Sequence, residues 1–282
     1  MADDPIFTRG RTAVITGAAS GVGLAAARRC AAAGMNLVLA DREAVALEAA
    51  AAGIEPGGGE VLTRPLDVAH KAGVEALAAE TFGRFGEVAL LMNNAGASLG
   101  GTALENYEGW RATFEVNFWG VLHGVHAFGP AMAAQASPSR IVNTGSKQGI
   151  TNPPGNLAYN ATKAAVRTLT EGLAHTLRNT EGCRATAHLL IPGFTYTGMT
   201  AARLPEKPPA AWTPEQVVEF MVEALERGAF YILCPDNETT PEMDAKRILW
   251  GAGDLAFGRS ALSRWDPEFA DAFAAHMAKP VA

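Results

Sequence analysis

Short apolar runs rich in Val, Ile and Leu alternate along this chain with longer stretches in which apolar residues recur every three or four positions. The first pattern predicts strands and the second predicts helices. Strands are expected at Thr12–Thr16, Asn36–Ala40, Glu60–Leu66, Val88–Met92, Arg140–Thr144, Arg184–Ile191 and Phe230–Leu233. Helices are expected at Val22–Ala33, Arg42–Ala52, Ala69–Phe82, from about Leu104 to Ala134, at Leu157–Asn179 and at Pro214–Arg227. In the third helix Val74, Leu77, Ala78 and Thr81 mark one face. The strands are apolar without alternation, as for strands covered on both sides. Repeated β-α units with right-handed crossovers predict an α/β fold: a doubly wound parallel sheet of about seven strands with helices on both faces.

No stretch divides the chain, so one domain is expected over 1–282, with a core at about 8–235 and an extension at about 236–282. Gly57-Gly58-Gly59 reads as a loop before the third strand. The stretch Leu204–Pro214 reads as a loop leading to a helix capped by Thr213, with Pro214 at its first position. Apolar residues make up 48% of the chain and charged residues 18%, which supports a buried core and excludes wholesale disorder. A net charge of −6 argues against a nucleic-acid footprint. No run of 18 apolar residues exists to span a membrane. Met1-Ala2-Asp3-Asp4-Pro5 is acidic and does not read as a signal peptide. Cys30, Cys183 and Cys234 stand apart without metal-ligand spacing and read as reduced thiols of a cytoplasmic protein without a bound metal.

Tyr159 and Lys163 stand four apart in a predicted helix and so share one face. A Lys roughly 5 Å from a phenol, at an effective dielectric near 20, favours the phenolate by about 3 kcal/mol, or about two pK units. Such a pair is a candidate acid–base device, though a surface pair has the same spacing. The first strand runs into Thr16-Gly17-Ala18-Ala19-Ser20-Gly21-Val22-Gly23, where glycines allow a tight turn and a close approach of backbone N–H groups to a pyrophosphate. Asp41 ends the second strand. A carboxylate there accepts from ribose hydroxyls and repels a 2′-phosphate, favouring NAD over NADP; helix capping is its alternative or additional duty. Arg42, beside it, offers a partner to such a phosphate. Asp67, at the end of the third strand, and Asn93-Asn94-Ala95-Gly96, at the end of the fourth, line the same edge.

These motifs, with Asn117, Ser146 and Pro192-Gly193, resemble the short-chain dehydrogenase/reductase family in its single-domain form. The matches run in order from residue 12 to about 200. The resemblance implies a Rossmann-like fold, a nicotinamide cofactor and hydride transfer at an alcohol or ketone carbon. It implies Tyr159 as general acid–base and Lys163 as the residue that lowers its pKa and binds the nicotinamide ribose. Ser146 would bond the substrate oxygen, and Asn117 would hold a water linking Lys163 to solvent. Cofactor contacts are implied at Gly17, Ser20, Gly21, Val22, Gly23, Asp41 and Arg42. Others are implied at Asp67, Val68, Asn94, Ala95, Gly96, Pro192, Gly193, Thr195 and Thr197. Thr195 stands where the family pattern more often has Val or Ile.

The end of the chain departs from the family pattern. Nearly fifty residues follow Phe230-Tyr231-Ile232-Leu233-Cys234-Pro235, and they include Trp250, Phe257, Trp265 and Phe269. They read as a helical appendage that buries its aromatics on its own subunit, or as a lid. A homodimer or homotetramer is expected, although the extension puts the usual tetramer in question. The substrate pocket is expected from Gln148–Leu157, Phe194–Ala211 and the extension, with Gln148, Ile150, Pro153, Pro154, Leu157, Phe194 and Met199 forming a largely apolar lining. That lining suggests an uncharged hydrophobic or aromatic substrate. A weaker similarity of the Tyr-Ile-x-x-Pro ending points toward bacterial members that oxidise benzylic alcohols of lignin-derived compounds. The competing readings are an NADP(H)-dependent ketone reductase, an inactive dinucleotide-binding sensor or scaffold, and lyase or dehalogenase chemistry. The retained Tyr, Lys and glycine loop argue against the last two.

Overall fold

The computed structural model describes residues 6–55, 57–201 and 204–280; Met1–Pro5 lies outside them. Strands β1 (Thr12–Thr16), β2 (Asn36–Asp41), β3 (Val61–Pro65), β4 (Leu90–Asn93), β5 (Ser139–Thr144), β6 (Ala185–Ile191) and β7 (Tyr231–Leu233) form one sheet. Their order is β3-β2-β1-β4-β5-β6-β7, and every pairing is parallel. The order reverses between β1 and β4, which opens a crevice at the carboxyl ends of the strands.

The helices in chain order are α1 (Gly21–Ala32), α2 (Ala44–Ala52), α3 (Lys71–Phe85), α4 (Tyr107–Phe114), α5 (Gly120–Ala134), α6 (Gln148–Thr151), α7 (Leu157–Arg178), α8 (Gly198–Ala201), α9 (Pro214–Glu226), α10 (Pro241–Phe257) and α11 (Ala270–Ala278). Period-two alternation splits each strand between two cores. Ala13, Ile15, Leu37 and Leu90 join α1 and α9 on one face. Val14, Val38, Leu91 and Ile141 join α3, α5 and α7 on the other. The expected face of α3 is buried at Val74, Leu77, Ala78 and Thr81. Leu39 is fully buried, and truncating such a side chain to Ala costs about 2–5 kcal/mol. Thr213 caps α9 in a reciprocal capping box with Gln216.

Two local expectations are corrected. The single long helix expected from Leu104 to Ala134 is interrupted. Asn106 adopts a left-handed conformation (φ 58°) and its side chain accepts from Gly109 N, so α4 begins after it. A π-helical turn, Glu115–Trp119, then separates α4 from α5 and carries Asn117 fully buried. Asp41 ends β2 as expected, but its alternative duty as the cap of α2 is not realised, because Glu43 occupies that position.

The extension forms α10, two short turns and α11. Trp250 is its buried centre. The ring lies 5.3 Å from that of Phe273, the Arg259 guanidinium stands 4.0 Å over it, and Nε1 donates to Ser263 Oγ at 2.8 Å. Phe257 and Trp265 stay exposed, at 80% and 38%, so only part of the aromatic set is buried as expected. Cys30 and Cys234 are buried free thiols, and Cys183 is half-buried. Among the described residues no helix is long and apolar enough to cross a membrane, and no cluster of His, Cys, Asp or Glu is arranged to hold a metal ion.

Candidate active site

The carboxyl ends of the central strands open on a cleft of about 760 Å³, a usual size for a small-molecule site. By strand order it runs from Asp41 and Asp67, beyond β2 and β3, to Ser146 and Pro192, beyond β5 and β6.

At the first end, β1 turns through Gly17 (φ 66°) into α1. A Cβ at Gly17 would stand 2.8 Å from Ala95 Cα, and one at Gly23 would stand 2.1 Å from the Gly17 carbonyl oxygen. Gly17, Ser20, Gly21 and Val22 line the cleft, whereas Gly23 sits behind the turn and makes its packing possible. The Ser20 side chain does not cap α1, and no acidic residue occupies the first turn. The positive end of a twelve-residue helix therefore meets the cleft without an internal counter-charge. The residues fit a dinucleotide here.

Asp41 is held by two main-chain donors. Its Oδ2 accepts from Ala19 N and its Oδ1 from Glu43 N, both at 3.1 Å. Each oxygen keeps a further lone pair. Arg42 also lines the cleft, but its guanidinium pairs with Glu43 at 3.1 Å on an exposed surface. Asp67 Oδ1 accepts from Ala69 N at 2.9 Å, and the ring Nδ1 of His123 lies 2.9 Å from the carbonyl of Val68. Asn94, Ala95 and Gly96 line the middle of the cleft. Thr16 Oγ1 accepts from Asn94 N at 3.0 Å and from Ala95 N at 3.2 Å, while Thr144 Oγ1 donates to Asn94 Oδ1 at 3.3 Å. Sequence reasoning missed these two threonines as supports, although both end a strand at the cleft.

Pro192, Gly193, Thr195 and Thr197 line the other side. Thr195 donates from Oγ1 to the Gly193 carbonyl at 3.2 Å, which gives the hydroxyl at this position a use that Val or Ile lacks. Thr197 N donates to Thr200 Oγ1 at 2.7 Å. A Cβ at Gly21 would stand 3.3 Å from Thr197 Cβ, so the glycine turn and this segment nearly touch.

At the reacting end, Asn156 caps α7 by accepting from Tyr159 N. Tyr159 and Lys163 share the inner face, with the Lys163 ammonium 5.6 Å from the Tyr159 ring centroid. Lys163 Nζ donates to the Thr144 carbonyl at 2.8 Å. Ser146 accepts from Gln148 N at 3.2 Å, and its side chain stands near enough to the Tyr159 phenol to lower that group's pKa. Burial raises the Tyr159 pKa, and the nearby Ser146 hydroxyl offsets this only in part. Burial also pushes Lys163 down to about 8. The phenol is thus not drawn toward neutrality as expected: desolvation by burial is the largest influence on both groups.

Asn117 does not line the cleft. Its Oδ1 accepts from Ala97 N at 2.7 Å, and its Nδ2 donates to Ala97 O and to Thr162 Oγ1 at 2.9 and 3.1 Å. Both amide hydrogens are therefore committed to holding the strand-end loop on α7. A Cβ on Gly96 would stand 3.5 Å from Asn117 Oδ1 and 3.8 Å from Lys163 Nζ, so this glycine borders the space between them.

The substrate wall differs from expectation. Gln148 and Phe194 line it, but Ile150, Pro153, Pro154 and Leu157 do not, and Ile150 packs toward Val166 and Leu189 instead. The side chain of Met199 lies outside the described set. Ser98, Lys147, Asn156 and Leu204 complete the wall, which is therefore mixed rather than largely apolar. Helical spacing cannot tell a cleft-facing position from a core-facing one on a short loop, which is why these were missed.

A family model described as short chain dehydrogenase matches residues 11–208. The chain is 30% identical over 250 residues to 1-deoxy-11-beta-hydroxypentalenate dehydrogenase of Streptomyces avermitilis, covering 85% of this chain and 90% of that one. It resembles the crystal structure of a short-chain dehydrogenase/reductase from Burkholderia phymatum in complex with NAD (TM-score 0.80, 36% identity, 89% of this chain and 96% of that one). It also resembles a metagenomic short-chain oxidoreductase in complex with NADP (TM-score 0.68, 28% identity, 81% and 98%). With its seven-stranded Rossmann-like sheet and its glycine loop, this chain is an oxidoreductase of the short-chain dehydrogenase/reductase family.

Proposed function

We propose that this protein is an NAD(H)-dependent dehydrogenase that interconverts a secondary alcohol and a ketone, using Tyr159, Ser146, Lys163 and Asn117. The observation that carries the reading is the meeting of Tyr159 and Ser146 side chains at the β5 end of a cleft whose other end presents Asp41. A nicotinamide dinucleotide, when bound, supplies or accepts the hydride. Tyr159 gives a proton to the carbonyl oxygen in reduction or takes one from the alcohol in oxidation. Ser146 bonds the same oxygen and steadies charge developing on it. Lys163, fixed on Thr144, holds a positive charge beside the phenol and meets the nicotinamide ribose. Asn117 sets the Ala97 loop under them rather than carrying a proton through its own amide.

Three features support NAD. Asp41 keeps free lone pairs toward the ribose, Arg42 is already paired with Glu43, and the Burkholderia relative was solved with NAD. The NADP-bound metagenomic relative and the place of Arg42 on the cleft wall support the second reading, an NADP(H)-dependent reductase. The mixed wall favours an uncharged alcohol that has a polar group besides the reacting oxygen. A panel of secondary alcohols and ketones, assayed by NAD(P)H absorbance with both cofactors, tests the whole. Absence of turnover with every member would sink it, and a preference for NADPH would select the second reading. Self-association would cover the half-buried groove of Phe118, Leu122, Leu169 and Leu173 between α5 and α7. Light scattering after size exclusion checks it, and a monomer at micromolar concentration would refute it.

A further inference from the structure

Lys147 directly follows Ser146, and its ammonium is paired with the end of the chain. Nζ lies 2.6 Å from Asp244 Oδ2, in the first turn of α10, and 3.6 Å from Asp236 Oδ2, just past β7. The three side chains are only 16%, 4% and 7% exposed. The Lys147–Asp244 contact lacks hydrogen-bond geometry, so charge rather than direction holds it. Asp236 has other duties. Its Oδ2 accepts from Phe194 N at 3.3 Å, and its Oδ1 accepts from Glu238 N at 3.1 Å and Thr239 N at 2.7 Å. A Cβ at Gly193 would stand 3.1 Å from Asp236 Oδ2, so the carboxylate is packed on the main chain that walls the cleft.

Two features separate this cluster from an ordinary surface ion pair. It is buried, so loss of one partner strands a charge that water does not compensate. It also joins three segments distant in sequence: the turn that carries Ser146, the segment Pro192–Phe194, and the extension. Arg247 and Arg264 face Asp244 from α10 and from the turn Ser263–Trp265. Burial still keeps Asp244 above its ordinary pKa, while hydrogen bonds and Lys147 outweigh burial at Asp236 and lower it.

We propose that Lys147, Asp236 and Asp244 are positioning residues for the reaction. Through Asp244 and Lys147 the C-terminal extension sets the Ser146 turn, and through Asp236 it sets the 192–194 wall. The extension is thus a fixed strut of the reacting end and not a lid that opens. This rests on the reading that Ser146 bonds the reacting oxygen.

The full-length protein tests it, with 1-phenylethanol and NAD⁺ as probes. Asp244→Asn and Lys147→Met should each lower kcat by about tenfold or more, since small misplacements remote from the chemistry have effects of that order. KM and the NADH dissociation constant should change less than about threefold, the split expected when transition-state contacts alone are lost. The double variant should be no worse than Lys147→Met, and Lys147→Arg should recover most of the lost kcat. Hydrogen exchange read by mass spectrometry at 193–197 should quicken by about fivefold or more in Lys147→Met, as expected when a local tie is released. Wild-type kcat in folded Asp244→Asn, or unchanged exchange at 193–197, overturns the proposal. If Lys147→Met does not fold, Asp244→Asn and Lys147→Arg decide. Ser146→Ala separates the two claims. If it alone loses turnover, the strut is wrong and the Ser146 reading stands; if it keeps turnover, the Ser146 reading itself fails.

Discussion

Lys163 donates from Nζ to the carbonyl oxygen of Thr144 at 2.8 Å. The bond ties the inner face of α7 to the last residue of β5, the strand that leads into Ser146. Lys163 is 3% exposed, so its charge cannot swing to solvent. The pair of residues on one helix is thereby referenced to the sheet that carries the rest of the site.

Burying that ammonium has a measurable cost. Lys163 falls from 10.5 to about 8. At 1.36 kcal/mol per unit this is about 3 kcal/mol at neutral pH, against about 1.5–3 kcal/mol returned by a hydrogen bond from a charged donor. Lys163→Met should therefore lose turnover yet keep its melting temperature at pH 7 within roughly 5 °C of the wild type. The folded pKa lies below the unfolded one. From pH about 8 to 10.5 the unfolded chain holds a proton that the native state has shed, so wild-type stability rises relative to the variant across that window. Calorimetry at pH 7 and at a pH inside the window checks both parts. A wild type that loses stability relative to the variant across that window would contradict the sign.

His188 makes the same kind of demand in a lower pH range, at a site remote from the chemistry. Burial on β6 pushes it down to about 4, although its bond to the Ala229 carbonyl works the other way. As pH falls from 6.5 toward 4 the unfolded chain takes up a proton that the native state refuses, and about 3 kcal/mol of stability is lost. Urea midpoints at pH 7 and pH 5 should drop for the wild type and drop much less for His188→Gln. Equal drops would assign acid sensitivity elsewhere.

Tyr159→Phe removes only the hydroxyl, and the cap at Asn156 bonds the Tyr159 main chain, which the substitution leaves intact. Turnover should fall by about 10²–10⁴, the range for a positioned proton donor. NADH affinity, followed by nucleotide fluorescence, should stay within about twofold. Residual activity near that of the wild type would remove Tyr159 from the proposed chemistry.

Much of this was legible in the residues, for physical reasons that differ from place to place. The apolar runs at Ala13–Ile15 and Leu37–Leu39 announce strands because both faces are covered. Gly17 and Gly23 announce a close approach because a Cβ at either would strike main chain. The break at Asn106 was hidden because apolar periodicity continues through it, and only a side-chain bond to Gly109 N stops the helix there. The shift of Tyr159 was misjudged because spacing reveals a neighbouring charge but not how far both groups leave water. The Lys147–Asp244 contact was hidden because it joins residues nearly a hundred positions apart.

Asp41 gives the sharpest test of cofactor choice. Its carboxylate is oriented by Ala19 N and Glu43 N at 3.1 Å each, so it faces the cleft with a fixed aim. Hydrogen bonds to a charged acceptor contribute about 1.5–3 kcal/mol, and Asp41→Ala should therefore weaken NAD by roughly 10- to 100-fold. The same change removes the charge that repels a 2′-phosphate, while Arg42 remains next to the vacated position. NADP should then bind as well as or better than in the wild type, and the ratio of kcat/KM for NAD over NADP should fall by more than the loss in NAD alone. Side-by-side kinetics with the two cofactors measure that ratio. An unchanged ratio would mean that discrimination lies with another residue, and Arg42→Ala, which would then alter NADP alone, is the variant to compare.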